Sequence, residues 1–339
     1  MQRTTALIAL LTAAAALNAH AQTATDYNPP RTPDGKPDLQ GVWSTATATS
    51  LERPEGYPLV ITPEQASEIE GGTLFNRRLA TEASYVDPEE GAPEKGAALP
   101  PVGNYDVGWT DPGAYVTHIN GELRSSWIVY PEDGQIPELT EAGRALEATS
   151  PRRRGTGYDH PEERGLGERC VLMNGGPPLR SGLYNNNVQI VQTSDHVMMM
   201  NEMIHEVRIA PFGDDAAPEA IEPWMGDQKA SWDGDTLVIE TTGIHPSQRL
   251  ERLLLSKDAR ITERFTRISD SQILYQYEID DPAVYTDVWR AESAMNLLDH
   301  RIYEFACHEG NYGLENILQG GRWNDRNNIA HTGGDKREE

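Results

Sequence analysis

Lys229-Ala-Ser-Trp-Asp-Gly-Asp-Thr-Leu-Val-Ile-Glu-Thr-Thr242 is the stretch whose reading decides the fold. Asp233-Gly234 is a strong hairpin signal between two segments rich in strand formers, so the chain must turn there and run back beside itself. The same punctuation recurs on either side. Thr193-Ser-Asp195, Ser269-Asp-Ser271 and Asp280-Asp-Pro282 are turn chemistry between further strand-like runs. Strands are predicted at 188–193, 196–209, 229–232, 236–242, 260–268, 272–280, 286–295 and 302–307. Links this short imply an antiparallel meander, and so many strands would curl into a barrel or a strongly bent sheet to hide their edges.

The reading is therefore a mainly β protein, a lipocalin-like barrel or bent sheet within 168–339, closed by a short C-terminal helix near 314–318. Residues 22–167 carry most of the prolines and read as a loop-rich wrap with short helices and strands. Within it, Pro37-Asp-Leu-Gln-Gly-Val-Trp43 is a turn leading into a strand, and Ser125-Ser-Trp-Ile-Val-Tyr130 is a short strand closed by Pro131. Thr62-Pro-Glu and Thr140-Glu are helix starts, each with a threonine at the N-cap and acid in the first turn.

Ahead of the wrap, Met1-Gln-Arg3 supplies a positive start, 4–17 is apolar, and Ala19-His-Ala21 is a small-x-small cleavage site. Residues 1–21 read as a signal peptide and the protein as periplasmic or secreted. The apolar run falls short of the roughly 20 residues a membrane helix needs. The 339 residues carry a formal charge of −24 and a pI near 4.7. Nucleic acid and anionic membrane both require a basic surface and are not expected as partners; the charge does not identify a substrate, and a small-molecule substrate or ligand is expected on other grounds.

Candidate chemistry concentrates in three places. Tyr303-Glu-Phe-Ala-Cys-His-Glu-Gly-Asn-Tyr-Gly-Leu-Glu-Asn316 holds Cys307, His308, Glu309 and Tyr312; Asn185-Asn-Asn187 precedes Glu202-Met-Ile-His205-Glu206; and Cys170 stands beside Glu168 and Arg169. In an oxidising compartment Cys170 and Cys307 favour a mutual disulfide over a thiol nucleophile paired with His308. If 196–209 is one regular strand, His205 shares a face with Val197, Met199, Asn201 and Met203. By the same alternation Glu309 shares a face with Tyr303, Phe305 and Cys307, and His308 lies opposite.

A histidine and a carboxylate in an apolar hollow make a workable acid/base pair, because desolvation and the neighbouring charge tune the imidazole. His205 is the candidate base, Glu309 or Glu206 its partner, and His308 or Tyr312 a second proton carrier. A core histidine satisfied by a carbonyl is the competing account of His205. Asn185, Asn187 and Glu202 are candidates for holding substrate, although amides also satisfy the backbone of their own loops. Arg169 and Arg208 offer planar forks for a carboxylate, or else pair with Glu168, Glu206 or Glu263.

A divalent metal is compatible with His205, His308, Glu202, Glu206 and Glu309 as ligand types, though no H-E-x-x-H spacing imposes one and no cofactor is required. Nucleophile elbow, phosphate loop, dinucleotide fingerprint and haem-attachment motif are all absent from the sequence. Tyr275, Tyr277 and Phe265 fall at strand spacing and read as core. Trp109, Trp127, Trp224 and Trp289 are candidate walls for a flat or apolar ligand.

PRTPDGKPDLQGVW, ERC with NGGPP, YNNNVQIVQT, EMIHEVRIAPF, WDGDTLVIETT, ITERFTRI and YEFACHEGNYGLENIL together span nearly the whole chain after residue 21. They resemble a large family of exported Gram-negative bacterial proteins, which implies a periplasmic location and carries no named activity. The meander and the Gly41-x-Trp43 entry also resemble lipocalin-type barrels, whose members bind or transform small apolar molecules. Greater length and the N-terminal wrap set this chain apart from them. Three functions are thus expected in competition. One is an exported enzyme doing acid/base chemistry of the lyase, hydratase, isomerase or hydrolase type; the second is a periplasmic binding protein for an apolar small molecule; the third is a structural or assembly factor of the envelope, which predicts no deep pocket.

Overall fold

The computed structural model describes residues 27–85, 110–149, 157–173, 175–213, 223–245 and 253–329. The expected signal peptide at 1–21 and Trp109 lie outside them. In chain order the strands are β1 (Gly41–Ser44), β2 (Val60–Ile61), β3 (His118–Ile119), β4 (Glu122–Arg124), β5 (Ile128–Tyr130), β6 (Asn187–Gln192) and β7 (His196–Asn201). They continue with β8 (Val207–Pro211), β9 (Asp227–Asp233), β10 (Thr236–Thr242), β11 (Arg260–Ser269), β12 (Gln272–Asp280) and β13 (Trp289–Leu298). The α-helices are α1 (Pro63–Gly72), α2 (Leu74–Tyr85), α3 (Glu141–Thr149) and α4 (Tyr312–Arg326).

The hairpin at 229–242 forms as read. Asp233 pairs with Thr236, leaving a two-residue turn whose first residue, Gly234, has φ +60°, a conformation that favours glycine. Around it stands a ten-stranded antiparallel sheet in the order β8, β7, β6, β1, β13, β12, β11, β10, β9, with β5 added on β13. The sheet bends until its outer strands meet. Phe212, just past β8, makes one parallel bridge to Ala230 of β9, and the Phe212 and Trp232 rings stack at 6.1 Å. One bridge is not a ladder, so the molecule is an open, strongly bent sheet rather than a closed barrel.

Alternation places the core inside the bend. β11 turns Ile261, Glu263 and Phe265 inward, and β12 turns Ile273, Tyr275, Tyr277 and Ile279 inward. Val188, Ile190, Val197, Met199, Leu237, Ile239, Trp289 and Met295 complete the same cluster with Trp43. Trp43 is buried without loss because its ring N–H donates to the Leu39 carbonyl at 2.9 Å.

The stretch read as a wrap does more than cover this sheet. β1 lies in its middle, between β6 and β13, and β5 extends it, so two of its strands come from the N-terminal half. A separate sheet, β2, β4, β3, packs Ile119 onto the outer face against Leu274 and Ala294. Thr62 closes a capping box with Gln65 at the start of α1, and the Thr140 hydroxyl accepts from the Gly143 N–H at 2.9 Å below α3. The C-terminal helix is longer than expected. Asn311 caps α4 by accepting from Leu314 N–H at 3.2 Å, and at Gly321 the helix lies so close to the Tyr158 ring that a Cβ would meet it at 2.3 Å.

Three strand readings are corrected. The run 196–209 is not one strand but β7, a 3-10 turn at Met203–His205, and β8, because Ile204 and His205 both adopt positive φ, +58° and +47°. That turn breaks the alternation that had put His205 on the buried face. The run 302–307 is irregular rather than extended, which removes the alternation assigned to Glu309 and His308. The strand read at 286–295 begins later, at Trp289, since Asp281 to Thr286 is occupied by turns that bind the Glu138 carbonyl and the start of α3.

Candidate functional site

The expected acid/base pair does not share a hollow. His205 and Glu309 are both exposed, and so are His308 and Tyr312, the latter at 73 %. His205 and His308 are neighbours, with ring centroids 6.1 Å apart, and His205 Nδ1 lies 3.1 Å from the Phe305 carbonyl oxygen. What joins these segments is the Cys170–Cys307 disulfide, Cα atoms 5.8 Å apart, which forms as expected. Asn311 adds to the staple by donating to the Glu168 carbonyl at 2.8 Å. Around it pack Met203, Ile204, Met173, Tyr184 and Phe305. This is a structural knot on the outside of the bend. Among the described residues no three His, Cys, Asp or Glu side chains converge as a metal site, so His205, His308, Glu202, Glu206 and Glu309 do not act together as ligands.

The polar residues between the disulfide and the sheet interior are engaged with one another. Glu202 is buried and accepts from Asn185 Nδ2 at 3.0 Å and Asn187 Nδ2 at 2.5 Å. Asn186 faces the other way and clamps the 182 turn, its Oδ1 accepting from Gly182 N–H at 2.6 Å while Nδ2 donates to the Asp111 carbonyl at 2.7 Å. Glu206 accepts from the N–H groups of Met173 and Gly175. Burial pushes its carboxyl up to about 7, against the opposing pull of those two N–H groups, Arg208 and Asn201.

Deeper still, Arg208 meets Glu263 in a fully buried pair, Nη1 to Oε2 at 2.5 Å and Nη2 to Oε1 at 3.1 Å. The Tyr275 hydroxyl donates to Glu263 Oε1 at 2.7 Å and accepts from Leu179 N–H at 2.8 Å. Burial raises the Tyr275 phenol well above its ordinary range, and Glu263 adds to this. Arg208 thus has its carboxylate within the protein and is not a substrate clamp. Glu168 pairs with Arg164 at 2.9 Å rather than with Arg169, which is half-buried beside the disulfide.

A sizeable cleft opens elsewhere, at the end of the bend where β1 leaves and β6 begins. It has a volume of about 540 Å³, within the range of small-molecule sites. Its walls include Trp127, Leu51, Glu52, Arg180, Ser181 and Tyr277. Tyr277 comes from the inner face of β12, Trp127 from the approach to β5, and Arg180 from the segment that Glu206 and the Glu263–Tyr275 network hold. That segment carries consecutive cis peptides at Gly176–Pro177 and Pro177–Pro178.

Most polar groups around the cleft already have partners. Thr47 bonds the Tyr115 carbonyl and Thr117, Thr49 bonds the Arg124 carbonyl, and Ser50 bonds the Glu52 carbonyl. The Tyr277 hydroxyl is different. Its residue is only 4 % exposed, yet the hydroxyl has no hydrogen-bond partner among the described residues and, unlike the sealed orphans such as Trp289 Nε1, keeps access to the cleft. Burial pushes the phenol above its ordinary range, with the Arg180 charge acting in the other direction. At neutral pH it is therefore a neutral hydroxyl within electrostatic reach of a guanidinium.

Of these walls, Trp127 was legible from sequence as an aromatic candidate. Tyr277 read as plain core, and Arg180 had no signal beyond its place after Gly175-Gly-Pro-Pro-Leu179. Trp289 is fully buried and Trp224 lies tilted against His245, centroids 4.1 Å apart, and neither lines the cleft. A scan against protein-family models matches none, and a search of curated proteins finds no similar sequence. No helix among the described residues is long and apolar enough to cross a membrane.

Proposed function

We propose that this protein binds a small organic molecule in the cleft beside Tyr277, at the open end of its bent sheet. The observation that carries the reading is the Tyr277 hydroxyl, on the wall of a cavity of about 540 Å³ and without a hydrogen-bond partner among the described residues. A ligand that displaces water from this wall must itself bond the hydroxyl, since leaving it unmet would cost roughly 1–3 kcal/mol, and this favours a ligand with a polar group at that point. Binding is favoured over acid/base turnover because His205, His308, Glu309 and Tyr312 stand on the outer surface, away from the lining residues. Export to an oxidising compartment, in keeping with the resemblance to exported Gram-negative proteins, is part of the same proposal and draws support from the Cys170–Cys307 bond.

A ligand-observed NMR screen of small organic molecules tests it. Ser181→Trp, which plugs the cleft from a half-buried wall position, is expected to abolish the hits, while His205→Ala and Glu309→Ala retain them. Hits that survive Ser181→Trp, or that vanish with His205→Ala, would move the site away from the cleft.

A further inference from the structure

Tyr277 does not stand alone in the cleft. Trp127 is likewise 4 % exposed, and its indole N–H has no hydrogen-bond partner among the described residues. Unlike the sealed Trp289 Nε1 it is not cut off from solvent, and the cleft is the opening that its residue lines. The lining hydroxyls have already given their protons away. Those of Thr47, Thr49, Ser50 and Ser181 lie against the carbonyls of Tyr115, Arg124, Glu52 and Pro112, which can only accept. Glu52 and Arg180, the charged lining residues, are engaged within the protein, so neither enters the recognition. The described side chains therefore leave a ligand two donors, an indole N–H and a phenol O–H, beside the apolar surfaces of Leu51 and Pro112. Resting on the binding reading above, we infer that the ligand is a carbonyl compound, such as a ketone, ester or lactone, whose acceptor oxygen meets the Trp127 N–H and the Tyr277 hydroxyl while its apolar body fills the space against Leu51 and Pro112.

The indole decides the class, because it donates and never accepts, whereas the phenol can do either. A ligand that dries this wall must set an acceptor against the indole, or a desolvated donor goes unmet. A carbonyl oxygen has two lone pairs and no proton, so it answers both groups at once. An alcohol also accepts, but it brings a proton that needs an acceptor in turn. The Thr47 and Thr49 oxygens already accept from the N–H groups of Thr49 and Thr117, at 3.1 and 2.7 Å. A hydrocarbon answers neither donor. Both donors are carried on fixed supports, since the Tyr277 ring packs against Tyr275 and Trp289 with centroids 5.7 Å away in each case, and the Trp127 backbone is bonded to Ser50 at 2.9 Å and Glu292 at 2.8 Å.

The test uses the full chain after residue 21 and three uncharged probes on one carbon skeleton: 2-acetylnaphthalene, 1-(2-naphthyl)ethanol and 2-ethylnaphthalene, each measured by equilibrium dialysis. The ketone is expected to bind most tightly, at least about tenfold better than the hydrocarbon, the equivalent of roughly 1.4 kcal/mol, with the alcohol between them. Trp127→Phe and Tyr277→Phe each remove one donor and keep an aromatic ring, and each is expected to weaken the ketone about five- to tenfold while the hydrocarbon changes by less than about twofold. The ratio of ketone to hydrocarbon is the readout, because lost volume at position 127 weakens both alike. Urea melts of both variants report whether the fold is retained. A ketone no tighter than the hydrocarbon, an alcohol tighter than the ketone, or a ratio indifferent to either substitution in folded protein overturns the carbonyl inference while leaving the cleft as a binding site. Binding of none of the three also overturns it, and the Ser181→Trp screen then judges the cleft independently.

Discussion

Glu263 has no exposed surface, and only its full set of partners makes that tolerable. Two guanidinium nitrogens, the Tyr275 hydroxyl and the Leu179 N–H surround its carboxylate, so the cost of taking a charge out of water is offset by short bonds in a dry site. Glu206 is less well served. Its carboxyl, raised to about 7 from an ordinary 4.5, holds its proton more tightly folded than unfolded. The sign follows: its contribution to stability is complete below about pH 4.5, is lost as pH rises to about 7, and is constant above that. Glu206→Gln is expected to flatten this part of the stability profile, measured by urea unfolding from pH 4.5 to 8. A variant whose slope between those limits matches the parent would show that Glu206 is ionised throughout.

At the level of elements, the disulfide decides how the outer segments sit. It joins the segment before the cis prolines to the irregular run that leads into α4, across 137 residues of chain. Closing a loop of that length stabilises by about 5 kcal/mol in the chain-entropy model. The double variant Cys170→Ser with Cys307→Ser is expected to lose several kcal/mol in a denaturant melt and to expose 302–311 to proteolysis first. Ligand binding in the cleft should persist where the variant remains folded, since neither cysteine lines it. A melt unchanged by the double substitution would mean that the segment is held by its packing around Met203 and Phe305 alone.

For the whole molecule, the telling placement is that of β1. Without it β6 and β13 have no common neighbour, and the sheet divides into one piece with β6 to β8 and another with β9 to β13. Trp43 and Leu39 would leave the core as well. A fragment consisting of 168–339 is therefore expected to give no cooperative unfolding transition and no dispersed amide spectrum. A well-folded fragment would show that the two pieces close directly on one another. The same placement explains how the cleft is built, since its walls come from the chain after β1, the approach to β5, the segment before β6 and the inner face of β12.

Local sequence determined the elements whose causes are local. The turn at Gly234, the alternation of 260–280 and the N-cap threonines at 62 and 140 each depend on neighbours a few residues away, and each formed where it was read. The pairing of Cys170 with Cys307 followed from the expected compartment and the scarcity of cysteine. Tertiary structure alone decided the rest. Ile204 and His205 take positive φ in the turn that separates β7 from β8, and no local preference of a β-branched residue announces that. Tyr277 has the sequence of a core residue and becomes the wall of a cleft because Arg180 and Trp127 approach it from distant parts of the chain. Periodicity reports which face of a strand is apolar; which inward side chain meets a void depends on how far the sheet bends and what fails to fill it.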